Sequence, residues 1–194
     1  MKQPVQGSVT VVGAGGIGAT IGLALAAGGA VVEFVEIDSR RIDRGRRAGV
    51  AIRAFDDWTA TPDDIIILAT KCYDNAAVLA RIPAGAALVP IQNGFDPGLK
   101  NASLAAEGIA SFVAACRPDH FAPAITRPGD LHVGSVDGRP LDGTIRNLFQ
   151  RVAGSDRFRL KFVSKILPYT HAKLMYNAAI SPLAAAAGID NGDL

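Results

Sequence analysis

The feature that most constrains this chain is the run SVTVVGAGGIGATIGLALAAGGAVVEFVEID near its N-terminus. An apolar strand, Val9 to Val12, enters Gly13, Gly15 and Gly18, spaced G-x-G-x-x-G. A helix of small residues follows, then a second strand ending on Glu36. Strand, glycine loop, helix, strand and acid in this order fit a parallel α/β sheet that holds a dinucleotide beyond its first strand. Gly13 allows a tight turn, Gly15 has no Cβ to block a pyrophosphate, and Gly18 lets the helix lie close to the strand. The expected cofactor loop is therefore Gly13, Ala14, Gly15, Gly16, Ile17 and Gly18, where the first helical N–H groups and the helix dipole face phosphate. Glu36, roughly 20 residues on, stands where a carboxylate accepts from ribose hydroxyls.

The same stretch has a second reading, because residues 5 to 32 carry no charge. Such a length can span a bilayer or serve as a secretory h-region. Repeated glycines, a basic flank of Lys2 alone and no small-x-small cleavage pattern argue against both. A buried parallel strand with a helix packed on it is expected to be apolar all round. No membrane partner is expected.

With 49% hydrophobic and 20% charged residues, 194 residues suffice for one α/β domain and part of another. A net charge of +2 gives no reason to expect nucleic acid. Cys72 and Cys116 are far apart and match no metal or redox spacing, so they read as reduced cysteines of a cytoplasmic protein without a metal site. One charge run, SRRIDRGRRAG, admits two readings. It is either a solvated helix face, or a place where Arg40 or Arg41 grips a ribose 2′-phosphate. Glu36 opposes the second reading, since a carboxylate repels that phosphate, and the choice between NAD and NADP stays open.

Periodicity alternates between short β-branched runs and helical patterns, which predicts a parallel sheet with crossover helices. Strands are expected at Asp64 to Thr70, Ala86 to Ile91 and Ile109 to Ala115, with a short apolar piece at Val50 to Ala54 and a helix over Asn75 to Ile82. The turn signal Arg127-Pro128-Gly129-Asp130 predicts a hairpin within His120 to Ser135. An amphipathic helix over Asp142 to Val152 and a strand over Phe158 to Val163 follow. The last pattern is helical from about Ser164, closed by Gly188 as a C-cap, with Pro182 expected to bend or break it.

Ligands in open α/β sheets bind beyond the carboxyl ends of the strands. Three polar motifs fall there: the glycine loop, Thr70-Lys71, and Gln92-Asn93-Gly94. Lys71 is placed to reach cofactor phosphate or ribose, and the Asn93 amide to bond both the nicotinamide end and a substrate. The plain alternatives are a solvated lysine and an ordinary Asn-Gly turn. In the last helix Lys173, Asn177 and Ser181 recur every four residues and form one stripe. The nearly charge-free LMYNAAISPLAAAAGI around them implies a partly desolvated Lys173 with a lowered pKa, suited to proton donation. The competing reading is a lysine that snorkels to water. His171 is expected to point elsewhere, and His120 and His132 lack metal-ligand spacing.

The ordered set GAGGIG, TKCYD, QNG, RPGDLHVG and THAKLMYNAAISPLAAAAGIDNGDL resembles the ketopantoate reductase (2-dehydropantoate 2-reductase) family over essentially the whole chain. The resemblance implies a Rossmann-type doubly wound parallel sheet over residues 1–163. A long helix would then begin, over residues 164–194, an all-helical domain that is mostly missing. It implies NADP(H)-dependent reduction of a 2-oxo acid to a 2-hydroxy acid, with Lys173 as proton donor. Asn93 and Asn177 would be further catalytic residues, Ser181 a substrate contact, and Lys71 a cofactor contact. The family commonly has Arg just past the second strand, where this chain has Glu36-Ile37, so NAD(H) stays open unless Arg40 or Arg41 substitutes. A dinucleotide-binding module or truncated homologue without turnover is the alternative. An apolar final helix without a partner domain suggests a homo-oligomer.

Overall fold

The computed structural model describes residues 8–154 and 157–189. The outer ends of the two expected domains, and the final motif from Asp190 on, lie outside the described residues. The charge-free N-terminal stretch forms β1 (Val9–Val12), α1 (Gly16–Ala27) and the start of β2 (Val32–Glu36). Then come α2 (Ser39–Arg47), β3 (Ile52–Ala54), β4 (Ile65–Leu68), α3 (Asn75–Leu79) and β5 (Ala87–Pro90). These strands make an all-parallel sheet in the order β3-β2-β1-β4-β5. The order reverses between β1 and β4: the sheet is parallel, as the periodicity predicts, and doubly wound, as the family resemblance implies.

Burial explains the composition of the centre. All four residues of β1 and of β4 are buried, as expected for strands covered on both faces. Each isoleucine or leucine so buried is worth about 1.5–3 kcal/mol in transfer free energy. Helix α1 has no polar face because both its sides are covered. Ala114 lies against Gly16, and the backbone of Arg151 lies against Gly28. Among the described residues no helix is long and apolar enough to cross a membrane.

The second half differs from expectation in its strand pairing and at Pro182. Residues 107–115 form two strands, β6 (Glu107–Ala110) and β7 (Val113–Ala115). The chain returns as β8 (Ala124–Arg127) and β9 (Asp130–Ser135). The strands flanking the Arg127-Pro128-Gly129-Asp130 turn do not pair with each other: β8 pairs with β7 and β9 with β6, both antiparallel. One long ribbon is thus folded at a corner, where Ser111 N–H donates to Asp130 O (2.8 Å) and Ser111 Oγ accepts from Asp130 N–H (2.8 Å). Helix α4 (Gly143–Gln150) then crosses to β10 (Arg159–Lys165), parallel to β9. The chain reaches α5 (Leu167–Ala187), which runs through Pro182 without interruption. Gly188 ends it at φ +67°, and Ile189 N–H donates back to Ala184 O (3.1 Å), a glycine C-cap as expected.

Candidate functional site

The sheet brings the three polar motifs to one edge. Gly13 N–H donates to Val35 O (2.9 Å), Ala69 N–H to Val12 O (2.8 Å) and Ile91 N–H to Leu68 O (2.8 Å). The ladder therefore continues just past the strands and delivers Gly13, Thr70-Lys71 and Gln92-Asn93 side by side.

The glycines do three separate things. Gly13 turns at φ +94°, where a side chain is strained. A Cβ on Gly18 would strike Gly13 O and come within 2.9 Å of Ala69 Cβ, so glycine is what lets α1 sit this close to the strands. A Cβ on Gly15 would meet nothing within 4 Å. Open space thus lies in front of the N-terminus of α1, where first-turn N–H groups lack intrahelical acceptors. It belongs to a cavity of about 280 Å³ lined by Gly13, Gly15, Glu36, Ile37, Phe55, Thr70, Lys71 and Asp74. The residues present fit a dinucleotide: a concave floor of glycine, a helix dipole for phosphate and a carboxylate at the far wall. Of the rest of the loop, Ala14 is buried, Ile17 is half-buried and Gly16 is pressed against Ala114.

Glu36 does more than line that wall. Its Oε2 accepts from Ala14 N–H (2.9 Å), and its Oε1 accepts from Ile37 N–H (2.8 Å) and Asp38 N–H (3.1 Å). The carboxylate is tied to both the glycine loop and the turn into α2. Asp38 caps α2 by accepting from Arg41 N–H (3.1 Å), which sets the phase of the helix. That phase turns Arg41 inward, away from any phosphate. Arg41 is 6% exposed, lies over the Phe121 ring at 5.5 Å and donates through Nη2 to Phe121 O (3.3 Å). Arg40 is exposed and outside the lining of the cavity. Arg44, Arg46 and Arg47 occupy the last turn of α2, where positive charge suits the dipole.

A second cavity, of about 630 Å³, lies on the other side of the β5 end. Gln92 and Asn93 form one wall, Glu107 and Ile109 another, and Thr170, His171, Lys173 and Leu174 of α5 a third. Asn93 and Lys173 therefore face the same space. Lys173 is half-buried, with its ammonium 5.5 Å from the Tyr176 ring centre. Burial chiefly, and then the positive Arg127, lower its pKa below the usual lysine range, while Tyr176 opposes them. This is the direction the apolar helix predicts. Asn177, one turn on, is half-buried and outside the cavity lining, and Ser181 is exposed.

His171 does not point elsewhere; it faces the same cavity as Lys173. The helical wheel puts it far around from Lys173, but the cavity wraps the N-terminal turns of α5. There Thr170 Oγ1 donates to Glu107 Oε1 (3.1 Å). Burial raises the Glu107 pKa, while that hydrogen bond and the charge of His171 lower it in part. Below Asn93-Gly94 lies Cys72, whose Sγ would be 2.6 Å from a Cβ on Gly94. Among the described residues no group of three His, Cys, Asp or Glu could hold a metal ion.

A family model described as ketopantoate reductase PanE/ApbA matches residues 9–109. No curated protein matches the chain in sequence. Among solved structures, the dimeric ketopantoate reductase of Staphylococcus aureus is 16% identical with a TM-score of 0.69, over 94% of this chain and 69% of its own. The 2-dehydropantoate 2-reductase of Methylococcus capsulatus is 22% identical with a TM-score of 0.70, over 94% and 65%. D-mandelate dehydrogenase, solved with NADH, is 16% identical with a TM-score of 0.76, over 94% and 64%. The chain thus spans about two thirds of the length of these neighbours, with which it shares a fold.

Proposed function

The chain belongs to the ketopantoate reductase PanE/ApbA family, and from that premise we propose that it is a nicotinamide-dependent oxidoreductase. Its substrate is a 2-oxo acid of the ketopantoate type, reduced to the 2-hydroxy acid. Residues 1–163 form the dinucleotide-binding part and residues 164–194 the beginning of a helical part. The glycine loop, Glu36 and Lys71 hold the dinucleotide in the smaller cavity, and the substrate enters the larger one.

A bound reduced nicotinamide supplies the hydride for the carbonyl carbon. Lys173 Nζ gives a proton to the carbonyl oxygen as negative charge develops there. The Asn93 amide holds that oxygen in line, while Asn177 and Ser181, further along α5 and outside the lining of the cavity, would meet only a part of the substrate that reaches beyond it. The observation that carries this reading is a partly desolvated lysine facing the same cavity as Asn93. A lysine with a lowered pKa parts with its proton more readily than a solvated one.

The test is Lys173→Ala, assayed with ketopantoate and either reduced dinucleotide in a preparation that turns over. The value of kcat should fall roughly 10²–10⁴-fold, the usual weight of a positioned proton donor. Dinucleotide affinity should stay as it was. In the parent enzyme kcat should decline as pH rises through the Lys173 pKa, because the donor must be protonated; Lys173→Arg should lose that limb and stay slow. Unchanged kcat in Lys173→Ala would leave a dinucleotide-binding module as the better reading.

The cofactor is NADP(H) by family, with Glu36 favouring NAD(H). On α5, Met175 is 72% and Leu183 56% exposed. Self-association through this helix is the partner expected for such a surface, and sedimentation at rising concentration checks it: a monomer throughout would refute it.

A further inference from the structure

Two buried side-chain amides stand between the two cavities. Asn75, the first residue of α3, is 0% exposed, and Gln92, just past β5, is 9% exposed. Their amides face each other reciprocally. Asn75 Nδ2 donates to Gln92 Oε1 (3.0 Å), and Gln92 Nε2 donates to Asn75 Oδ1 (2.7 Å).

Partners that can only accept fix the orientation of the pair. Asn75 Nδ2 also donates to the Asp96 carboxylate (2.7 Å), and Gln92 Nε2 to the Thr70 carbonyl (2.8 Å). Turning either amide over would set acceptor against acceptor in a buried place, a costly arrangement. Thr70 Oγ1 donates to Asn75 Oδ1 (3.2 Å), so Thr70 and Asn75 close the short segment between them. Lys71 follows Thr70 within that segment, and Asn93 follows Gln92. Asp96 Oδ1 accepts from Gly98 N–H (2.8 Å) and so anchors the chain beyond the Asn93-Gly94 turn.

We propose that Asn75 is a positioning residue: through Gln92 it holds Lys71 and the Asn93 turn in one frame, tying the grip on the dinucleotide to the wall of the substrate cavity. Neither Asn75 nor Gln92 lines the smaller cavity. Asn75 therefore acts on a dinucleotide only through the residues it holds. The inference rests on the reading of the smaller cavity as the dinucleotide site.

A double-mutant cycle tests it. NADH affinity is measured by fluorescence titration for the whole chain and for Lys71→Ala, Asn75→Ala and the double variant, with Tm recorded alongside. Asn75→Ala should weaken binding about tenfold, the scale of a lost buried hydrogen-bond pair. In the Lys71→Ala background it should cost under about twofold, because sites that act through one another do not add. An equal loss in both backgrounds, or no loss in either, overturns the proposal and leaves the dinucleotide reading standing. If Lys71→Ala binds as the parent does, the proposal falls with the role of Lys71. If the parent does not bind NADH, the dinucleotide reading falls too.

Should Asn75→Ala fail to fold, an exchange decides. Asn75→Asp sets a carboxylate against Asp96 and should weaken NADH binding. Adding Asp96→Asn returns a donor to that contact but none to Gln92 Oε1, and should recover part of the lost affinity. No recovery would overturn the proposal.

Discussion

Glu36 shows how much one residue settles, and how little of that is visible in sequence. Its acidity and its distance from the glycine loop are legible as a ribose-facing carboxylate. Its bond from the Ala14 N–H is not, because Ala14 becomes its neighbour only when β1 pairs with β2. The hydrogen bonds hold the negative charge in the wall of the smaller cavity. A dinucleotide 2′-phosphate there would meet a fixed like charge. Glu36→Ala is therefore expected to improve NADPH binding about tenfold relative to NADH, the scale of relieving a partly desolvated like-charge contact. Paired fluorescence titrations measure it, and equal changes for both dinucleotides would place the carboxylate away from the ribose. Arg41 is the converse case. Asp38 caps the helix, and counting from it puts residues 41, 42 and 45 on one face. Those residues are buried, so the phase of α2, rather than closeness in sequence, decides where a guanidinium goes.

At the scale of elements, periodicity located nearly every strand and helix, and turn chemistry located the ends. It misread pairing at one place. The Arg127-Pro128-Gly129-Asp130 signal is a real reversal of local direction. A turn signal does not say which strands pair, however, and here it joins strands of two sheets. The corner needs close backbone approach: a Cβ on Gly129 would lie 2.5 Å from Phe112 N and 2.7 Å from Ser111 C. Gly129→Ala should thus cost about 1–3 kcal/mol by the overpacking it forces, read as a lower urea midpoint at unchanged slope. An unshifted midpoint would mean that the corner relaxes freely. Pro182 shows the limit of a propensity rule. A proline removes one hydrogen bond and strains one turn, yet α5 continues to Ala187.

For the molecule as a whole, the parallel sheet and the edge where its polar motifs meet were legible, because strands and motifs follow local patterns in the chain. The cavity that Asn93 shares with Lys173 was expected only from the family resemblance, and the meeting of His171 with Glu107 was not legible, since residues far apart in the chain build that cavity. The folded ribbon adds a connection of another kind. Its β7 arm presses on the first turn of α1 at Gly16, while its β9 arm carries the second sheet between β6 and β10. A phosphate bound at the glycine loop would therefore steady, through the strands of this ribbon, backbone far from it. Native-state hydrogen exchange should register this as a single unit. Amides of residues 107–115 and 124–135 should gain protection on NADH binding together with residues 13–18, whereas α4, outside the ribbon, should gain less. If protection stops at the glycine loop, the corner at Ser111 and Gly129 works as a hinge, and the two sheets breathe independently.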